Sequence, residues 1–231
     1  ALYFPSGTYA EQRLAIETRL EESREKLDEL QATIDAREKA VNPDEDAILR
    51  ATIFFDMRCV HGESQLVHRL HQETVAAAAA NRIFISYLAR DAQRSKVPLG
   101  IFRNLVLDRS ESGEKVFDAK GQAVVPVVDI ARTLALAHGI AAVGTVARLR
   151  ALVADSHMAG EDSDSLVDAL AFVNELRIAH QAVQAGAGQR ADNAIAPDSL
   201  SPLEREHLKD CFSVIRRGLD SLRRNLAGGI A

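Results

Sequence analysis

The sequence predicts an all-α protein, an antiparallel helical bundle with a small β-hairpin or ordered loop near residues 108–125. Three observations support this fold class. Apolar residues recur at spacings of three and four over long stretches, which is the period of a helix with one buried face. Alanine and leucine are abundant, and aromatic residues make up only 5% of the 231-residue chain. That composition favours helices that pack closely through small side chains.

The first part of the chain divides into two segments that precede the predicted bundle. Residues 1–8 resemble the remnant of a protease-cleaved tag. Residues 9–41 carry apolar residues at helical spacing between charged ones, which predicts a helical arm that docks on the body or pairs with a second copy. Asn42-Pro43-Asp44-Glu45 is a helix-start signal, so a short helix to Arg50 is expected to open the third region, 42–231.

The middle of the chain predicts two helices before the non-helical segment. One helix covers about 63–95 and contains the alanine run 76–80, and a shorter one covers about 98–106. The hairpin or ordered loop at 108–125 is predicted from turn-forming residues at 108–113 and from Lys120-Gly121, which lies between two short apolar runs.

Four further helices follow. The first covers about 127–138 and ends at Gly139, a typical left-handed cap position, and the second covers about 145–155. A long helix begins at Ser163 or Ser165 and ends near residue 186, before a loop at 186–199. The last helix begins with the capping box Ser201-Pro202-Leu203-Glu204.

Charge and composition exclude several classes of function. The net charge of -5 gives no basic excess of the kind that nucleic-acid binders use to neutralise phosphates. No apolar run approaches the roughly 20 residues of a membrane span, and no signal peptide is visible. The two cysteines, Cys59 and Cys211, have no metal-type spacing and fit a reducing compartment. We therefore expect a cytoplasmic protein that binds neither membrane nor nucleic acid.

Charged residues placed within apolar runs form the candidate site. Burying a charge is costly unless it is paired, so such residues mark either structural ion pairs or a binding site, and both interpretations stay open. The set is Asp56, Arg58, Asp118, Lys120, Asp129, Arg132, Arg148 and Arg177. In the functional interpretation the cations Arg58, Lys120, Arg132 and Arg177 line a pocket for a phosphate or an acidic protein segment, and the acids Asp56, Asp118 and Asp129 orient them.

Two other functions stay open as alternatives. Arg132 and His138 lie in one predicted helix at the loose spacing of toxin-type helical ribonucleases, in which arginine stabilises phosphate charge and histidine transfers a proton. A dimerisation module that pairs through the 9–41 helix is the other. The pairs His68/His71 and His207/Cys211 offer two metal ligands each, too few for a zinc site, so no metal site is predicted.

Six stretches, in order over about residues 47–226, carry a family likeness. They are IFFDMRCVHG (53–62), FDAKG (117–121), PVVDIAR (126–132), T-x-x-RL-x-x-L (145–152), AF-x-x-x-LR-x-x-x-Q (171–181) and LS-x-x-x-R-x-x-LK (200–209). Together they resemble the nucleotidyltransferase substrate-binding domain family. The family is the C-terminal helical domain of signal-transduction nucleotidyltransferases, found behind a catalytic core and often behind cyclic-nucleotide-binding and CBS domains. It is similar to the enzymes that uridylylate or adenylylate nitrogen-regulatory proteins.

The resemblance implies a bundle, residues 42–231, that presents an acceptor, such as a protein, to a nucleotidyltransferase catalytic domain. The complete enzyme is expected to use Mg²⁺ and a nucleoside triphosphate, with no cofactor held in this chain. Such a core needs a Gly-Ser loop followed by paired carboxylates for Mg²⁺, and the sequence contains no such combination. Asp44, Glu45 and Asp46 are acidic, but their place at a predicted helix start explains them. We therefore expect a substrate-binding or regulatory fragment or natural remnant, inactive alone, whose partner is the missing catalytic domain.

Overall fold

The computed structural model describes Thr18 and residues 51–100, 102–110 and 113–227. The chain divides into two compact units, Ala1–Ala47 and Ile48–Ala231, and every element described below belongs to the second. The predicted tag remnant, the helical arm apart from Thr18, pairing between chains through that arm and the short helix to Arg50 lie outside the described residues.

Six α-helices and a small sheet form the described part of the chain. The helices are α1 (Ser64–Ala80), α2 (Arg82–Ala92), α3 (Val125–Ala137), α4 (Thr145–Ala154), α5 (Gly160–Gly186) and α6 (Pro202–Leu222). The strands β1 (Asp108–Arg109), β2 (Lys115–Asp118) and β3 (Ala194–Ile195) pair antiparallel in that order. Short 3-10 segments cover Thr52–Asp56 and Pro197–Ser199, and π-helical segments at Lys120–Val124 and Arg223–Ala227 extend α3 and α6. The predicted mostly helical fold with a small hairpin is confirmed.

Helices α5 and α6 run antiparallel to each other. Phe172 of α5 stacks on His207 of α6 with ring centroids 4.1 Å apart. Asp168, one turn earlier in α5, lies close enough to act on the pKa of Cys211, one turn later in α6. Positions nearer the N-terminus of α5 therefore lie beside positions nearer the C-terminus of α6, as antiparallel packing requires.

The main core lies between α3, α4, α5 and α6. Its members are mostly aliphatic, including Ile130, Leu149, Leu152, Leu208 and Ile215, and all of these are fully buried. A smaller core packs against α1 and α2 and contains Phe55, Val75, Ala78, Ile85, Leu88 and Leu136. Phe55 thus fixes the 3-10 segment against α1 and α2, and this placement positions the neighbouring Asp56.

The predicted capping signals are confirmed at two helix ends. Ser201 Oγ accepts a hydrogen bond from the Glu204 N–H at 3.3 Å, and the Ser201 N–H donates to Glu204 Oε2 at 2.7 Å. These two bonds satisfy backbone donors that would otherwise be unpaired at the start of α6. Gly139 has a φ of 69°, the left-handed conformation that glycine adopts without steric cost, directly after α3.

Two helix predictions in the middle of the chain are wrong. The helix expected over 63–95 is divided at Asn81, whose Oδ1 accepts from the Phe84 N–H at 3.0 Å and so starts α2. No helix covers 98–106 among the described residues of that range. There Leu99 and Leu105 pair in an antiparallel bridge, and Arg103 adopts a φ of 57°.

The β region also differs in detail from the prediction. The pairing of β1 with β2 continues to Ser110, whose N–H donates to the Glu114 carbonyl at 2.9 Å. Lys120-Gly121, expected between the two strands, and the run 123–125, expected to form the second strand, instead form a π-helical segment that continues into α3. The third strand comes from the predicted 186–199 loop, where Ile195 pairs with Phe117. Because this pairing joins residues far apart in sequence, no local pattern indicated it.

Candidate functional site

Four of the candidate charged residues form one cluster, which we call the ion cluster. Arg132 donates to Asp56 Oδ2 at 2.8 Å and, from its other terminal nitrogen, to Asp129 Oδ1 at 3.3 Å. Arg148 contacts Asp56 Oδ1 at 2.7 Å. The 3-10 segment, α3 and α4 each supply members, so the cluster joins three elements through charge pairs.

Arg148 is the most buried member, with a side chain only 2% exposed. Its guanidinium also donates to the Phe55 carbonyl at 2.7 Å and, through Nε, to the Ala142 carbonyl at 3.0 Å. The Phe55 carbonyl lies 3.1 Å from Nε2 of the buried His71 in α1. Because a buried cation is costly without partners, these contacts explain how an arginine can occupy this position.

The two carboxyl groups of the ion cluster shift in opposite directions. Burial by itself would raise the pKa of Asp56, but the neighbouring Arg148 and Arg132 outweigh it and lower that pKa below its ordinary value. Burial raises the pKa of Asp129 to about 6, against the opposing effect of Arg132 and with a smaller contribution from Asp91. The single pair with Arg132, at the longer distance of 3.3 Å, leaves Asp129 without enough charge to compensate its burial.

A cavity of about 670 Å³ lies beside the ion cluster, and we call it the basic cavity. Its lining residues are Met57, Arg58, Cys59, Ser64, Gln65, Val67, His68, Arg69, His71, Gln72, Ala141 and Val143, none of them acidic. Arg58 and Arg69 make no ion pair with any carboxylate that the structure describes. Two guanidinium groups that pair with no described carboxylate make this cavity attractive to an anion.

The first turn of α1 adds to this positive character. Ser64 and Gln65, the first two residues of the helix, line the cavity, and the preceding Glu63 makes no capping hydrogen bond with its side chain. Unpaired N–H groups at a helix start carry partial positive charge and favour an anion nearby. The helix start and the two arginines therefore favour the same kind of ligand.

The other predicted site residues lie elsewhere. Asp118 Oδ1 accepts from the backbone N–H groups of Lys120 and Gly121, both at 3.0 Å, and so caps the start of the π-helical segment. The exposed Lys120 is twelve residues before Arg132 on one continuous helix, roughly 18 Å away at the helical rise. Arg177 lies on α5, where its buried Nε has no hydrogen-bond partner. The structure thus brings together Asp56, Asp129, Arg132 and Arg148, with Arg58 in the adjacent cavity.

Arg132 and His138 have separate surroundings. Arg132 is occupied by two carboxylates, while His138 stacks on His157 with ring centroids 3.7 Å apart and an interplanar angle of 15°. In the His207/Cys211 pair, His207 stacks on Phe172, and burial raises the pKa of the Cys211 thiol to about 11. Ring stacking and burial therefore account for the surroundings of His207 and Cys211.

Sequence reasoning missed Arg69 and considered His68 and His71 only as half of a metal site, which it did not predict. Gln65 and Arg69 are one helical turn apart, and so are Ser64 and His68, so two adjacent polar rows at the start of α1 could have been recognised. The burial of His71 against the Phe55 carbonyl had no local signal, because that contact spans 16 residues.

Comparison with known proteins identifies the family to which the bundle is related. No curated protein and no solved structure matches the chain. The family described as "Putative nucleotidyltransferase substrate binding domain" matches residues 82–226, which include α2 to α6 and most of the ion cluster but only two residues of the basic cavity, Ala141 and Val143. This match covers more than half of the chain, and the chain belongs to that family.

Proposed function

We propose that this protein binds the acceptor of a nucleotidyl transfer and holds an anionic group of that acceptor in the basic cavity. The observation that carries the proposal is the pairing of a family fold with a cavity that has two free arginines and no acidic lining residue. An acceptor must be held in a fixed orientation while its nucleophile reacts, and a charged anchor remote from the reacting atom provides that orientation.

The ion cluster supports the cavity rather than binding the ligand. Asp56 is two residues before Arg58, and its carboxylate is held by Arg132 and Arg148. His71 lines the cavity and lies 3.1 Å from the Phe55 carbonyl, which Arg148 also contacts. The cavity wall and the ion cluster therefore share a rigid backbone segment, and rigid support of this kind keeps binding groups in place.

The chemistry itself belongs to a partner in this proposal. Among the described residues no group of three or more His, Cys, Asp or Glu side chains is arranged to hold a metal ion, so we derive no step through Mg²⁺ in this chain. A nucleotidyltransferase catalytic domain would bind Mg²⁺ and the nucleoside triphosphate. A protein with an acidic segment is the acceptor class that the basic cavity fits best, because its carboxylates can form charge-assisted hydrogen bonds with Arg58 and Arg69.

A thermal-shift titration of the whole chain tests the anion site. The probes are pyrophosphate, a peptide of alternating Glu and Gly, and nucleoside triphosphates with and without Mg²⁺. A ligand that binds only the folded state raises the melting temperature, by the equivalent of about 2.7 kcal/mol at a hundredfold excess over Kd. We expect pyrophosphate and the acidic peptide to raise the melting temperature of the parent, and the double variant Arg58→Ala/Arg69→Ala to lose that shift.

Arg150→Ala is the matched control. Arg150 is an exposed helical arginine of α4 that lines neither this cavity nor the one described below, so its loss should leave the shift intact. An equal shift in the parent and in Arg58→Ala/Arg69→Ala, or no shift in the parent with any probe, would contradict the proposal.

A further inference from the structure

A second cavity, of about 720 Å³, lies at the opposite ends of α3 and α6 from the small sheet. The end of α3, the 155–159 loop, the start of α5 and the last turns of α6 surround it. Its lining includes the charged and aromatic residues His138, His157, Asp162, Arg217, Asp220 and Arg224. It shares no lining residue with the basic cavity, and its volume is in the range that small-molecule sites occupy.

Two arginines supply positive charge to this second cavity. Arg217 and Arg224 are seven residues apart, so they lie on the same face of α6 and its π-helical continuation. In the part of the chain that the structure describes, neither side chain makes a hydrogen bond or an ion pair. Of the two acids that line the cavity, Asp220 forms an ion pair with Arg223 at 3.3 Å.

The other acid, Asp162, lies in the first turn of α5, where the helix dipole stabilises a carboxylate. Asp162 makes no ion pair within 4.0 Å among the described residues, so it leaves Arg217 and Arg224 unneutralised. Both guanidinium groups are therefore available to an external anion. Arginine is the side chain best suited to phosphate, because its planar donors match two phosphate oxygens.

Two imidazole rings supply a flat surface. His138 and His157 stack at 3.7 Å with nearly parallel planes, and both line the cavity. Stacked rings of this kind offer a face on which a further planar ring can lie. Ile130, Leu134 and Leu166 add an apolar floor. Cationic groups, a stacking surface and an apolar floor together fit a ligand that joins an aromatic ring to an anionic group.

We propose that the second cavity is a binding site for a nucleoside monophosphate, with the base on the His138–His157 stack and the phosphate on Arg217 and Arg224. The site is distinct from the basic cavity and goes beyond the proposed function, because the acceptor of the transfer is held elsewhere. A nucleotide bound there would occupy a groove between α3, α5 and α6 and would stabilise their packing.

Isothermal titration calorimetry of the whole chain tests this site with AMP, GMP, CMP and UMP in turn. Inorganic phosphate and the four corresponding nucleosides are the half-ligand probes, each of which carries only one of the two binding groups. We expect saturable binding of at least one nucleoside monophosphate and weaker binding of each half-ligand, since both anchors contribute to affinity. The double variant Arg217→Met/Arg224→Met should lower the affinity at least tenfold, and His157→Leu should weaken nucleotide and nucleoside binding but not phosphate binding.

Arg150→Met is the matched control and should bind as the parent does. Circular dichroism of each variant separates loss of the site from loss of the fold. The absence of saturable binding for all four nucleotides at millimolar concentration would overturn the assignment. Binding that survives Arg217→Met/Arg224→Met but is lost in Arg58→Ala/Arg69→Ala would overturn it as well, and would place the nucleotide in the basic cavity instead. Failure of the acidic peptide to bind would bear on the proposed function alone.

Discussion

Two pairs of arginines in this protein have opposite surroundings. Arg132 and Arg148 are at most 16% exposed, and each contacts a carboxylate within 3.0 Å. Arg217 and Arg224 are exposed on one face of α6, and neither has a partner in the described part of the chain. A buried arginine between apolar neighbours is paired because the fold cannot otherwise contain it, whereas an unpaired arginine at a cavity rim is free to bind a ligand.

The contrast changes how the candidate residues are weighed. Selecting charges within apolar runs found the ion cluster, whose cations contact Asp56 and Asp129 rather than an open space. The free cations Arg58, Arg69, Arg217 and Arg224 lie on exposed surfaces beside cavities. Structural and ligand-binding charges thus separate by burial and pairing, and four predictions test that separation.

The largest expected effect is at Arg148. Arg148→Met removes a cation that contacts Asp56, the Phe55 carbonyl and the Ala142 carbonyl. Breaking a buried pair by removing one partner costs about 3–5 kcal/mol, because the remaining groups lose their compensation. We expect urea denaturation to show a loss of that size, and Arg150→Met to stay within about 0.5 kcal/mol of the parent. Equal stability of the two variants would remove the distinction between paired and exposed arginines.

A second prediction concerns pH and Asp129. The folded-state pKa of about 6 lies above the ordinary value of 3.8, so the folded state favours the protonated form. The stability from this group is therefore complete below about pH 4 and is lost as the pH rises through about 6. Asp129→Asn removes the ionisation while Arg132 keeps its bond to Asp56.

Relative to Asp129→Asn, the parent should lose up to about 3 kcal/mol of unfolding free energy between pH 4 and pH 7. Denaturation of both proteins at several pH values measures the difference. A constant difference across this range would show that Asp129 titrates near its ordinary pKa and that its burial is smaller than the structure indicates.

The third prediction is that removing an unpaired arginine leaves the free energy of unfolding nearly unchanged. Arg217→Met and Arg224→Met should each change the free energy of unfolding by no more than about 0.5 kcal/mol, because exposed side chains without partners contribute little to stability. Arg132→Met, which breaks two ion pairs, is the comparison variant. If either α6 variant were as destabilised as Arg132→Met, the arginine concerned would have a structural partner, and the free-cation description of the second cavity would fail.

The smallest expected effect is on a histidine. Burial lowers the pKa of His138, and the neighbouring His157 lowers it further, since two stacked imidazoles resist a second positive charge. His157→Ala removes only the second contribution. The pKa of His138, followed by NMR of its imidazole protons, should therefore rise partway towards its ordinary value. A value that does not move, or that falls, would mean that the two rings do not stack in solution.

The described helices bear on the prediction that the protein does not bind a membrane. Among the described residues no helix is both long enough and apolar enough to cross a membrane. The predicted cytoplasmic location and the predicted catalytic partner stay predictions.

The helical character of the protein, its family and most helix boundaries could be predicted from the amino-acid sequence alone. Capping residues and apolar periodicity act within a few residues, so Ser201, Glu204 and Gly139 could be assigned correctly from local pattern alone. The same local logic failed over 63–106, where it gave no reason for Asn81 to divide a helix or for Leu99 and Leu105 to pair.

Tertiary structure alone decided which charges are partners and which are free. Asp56 meets Arg132 across 76 residues, and Arg148 meets the Phe55 carbonyl across 93. Phe117 pairs with Ile195 over a similar range. Such contacts arise when packing brings distant elements together, and the sequence near each residue carries no record of the partner. Composition and periodicity therefore identified the bundle, but only the fold separated the ion cluster from the two cavities.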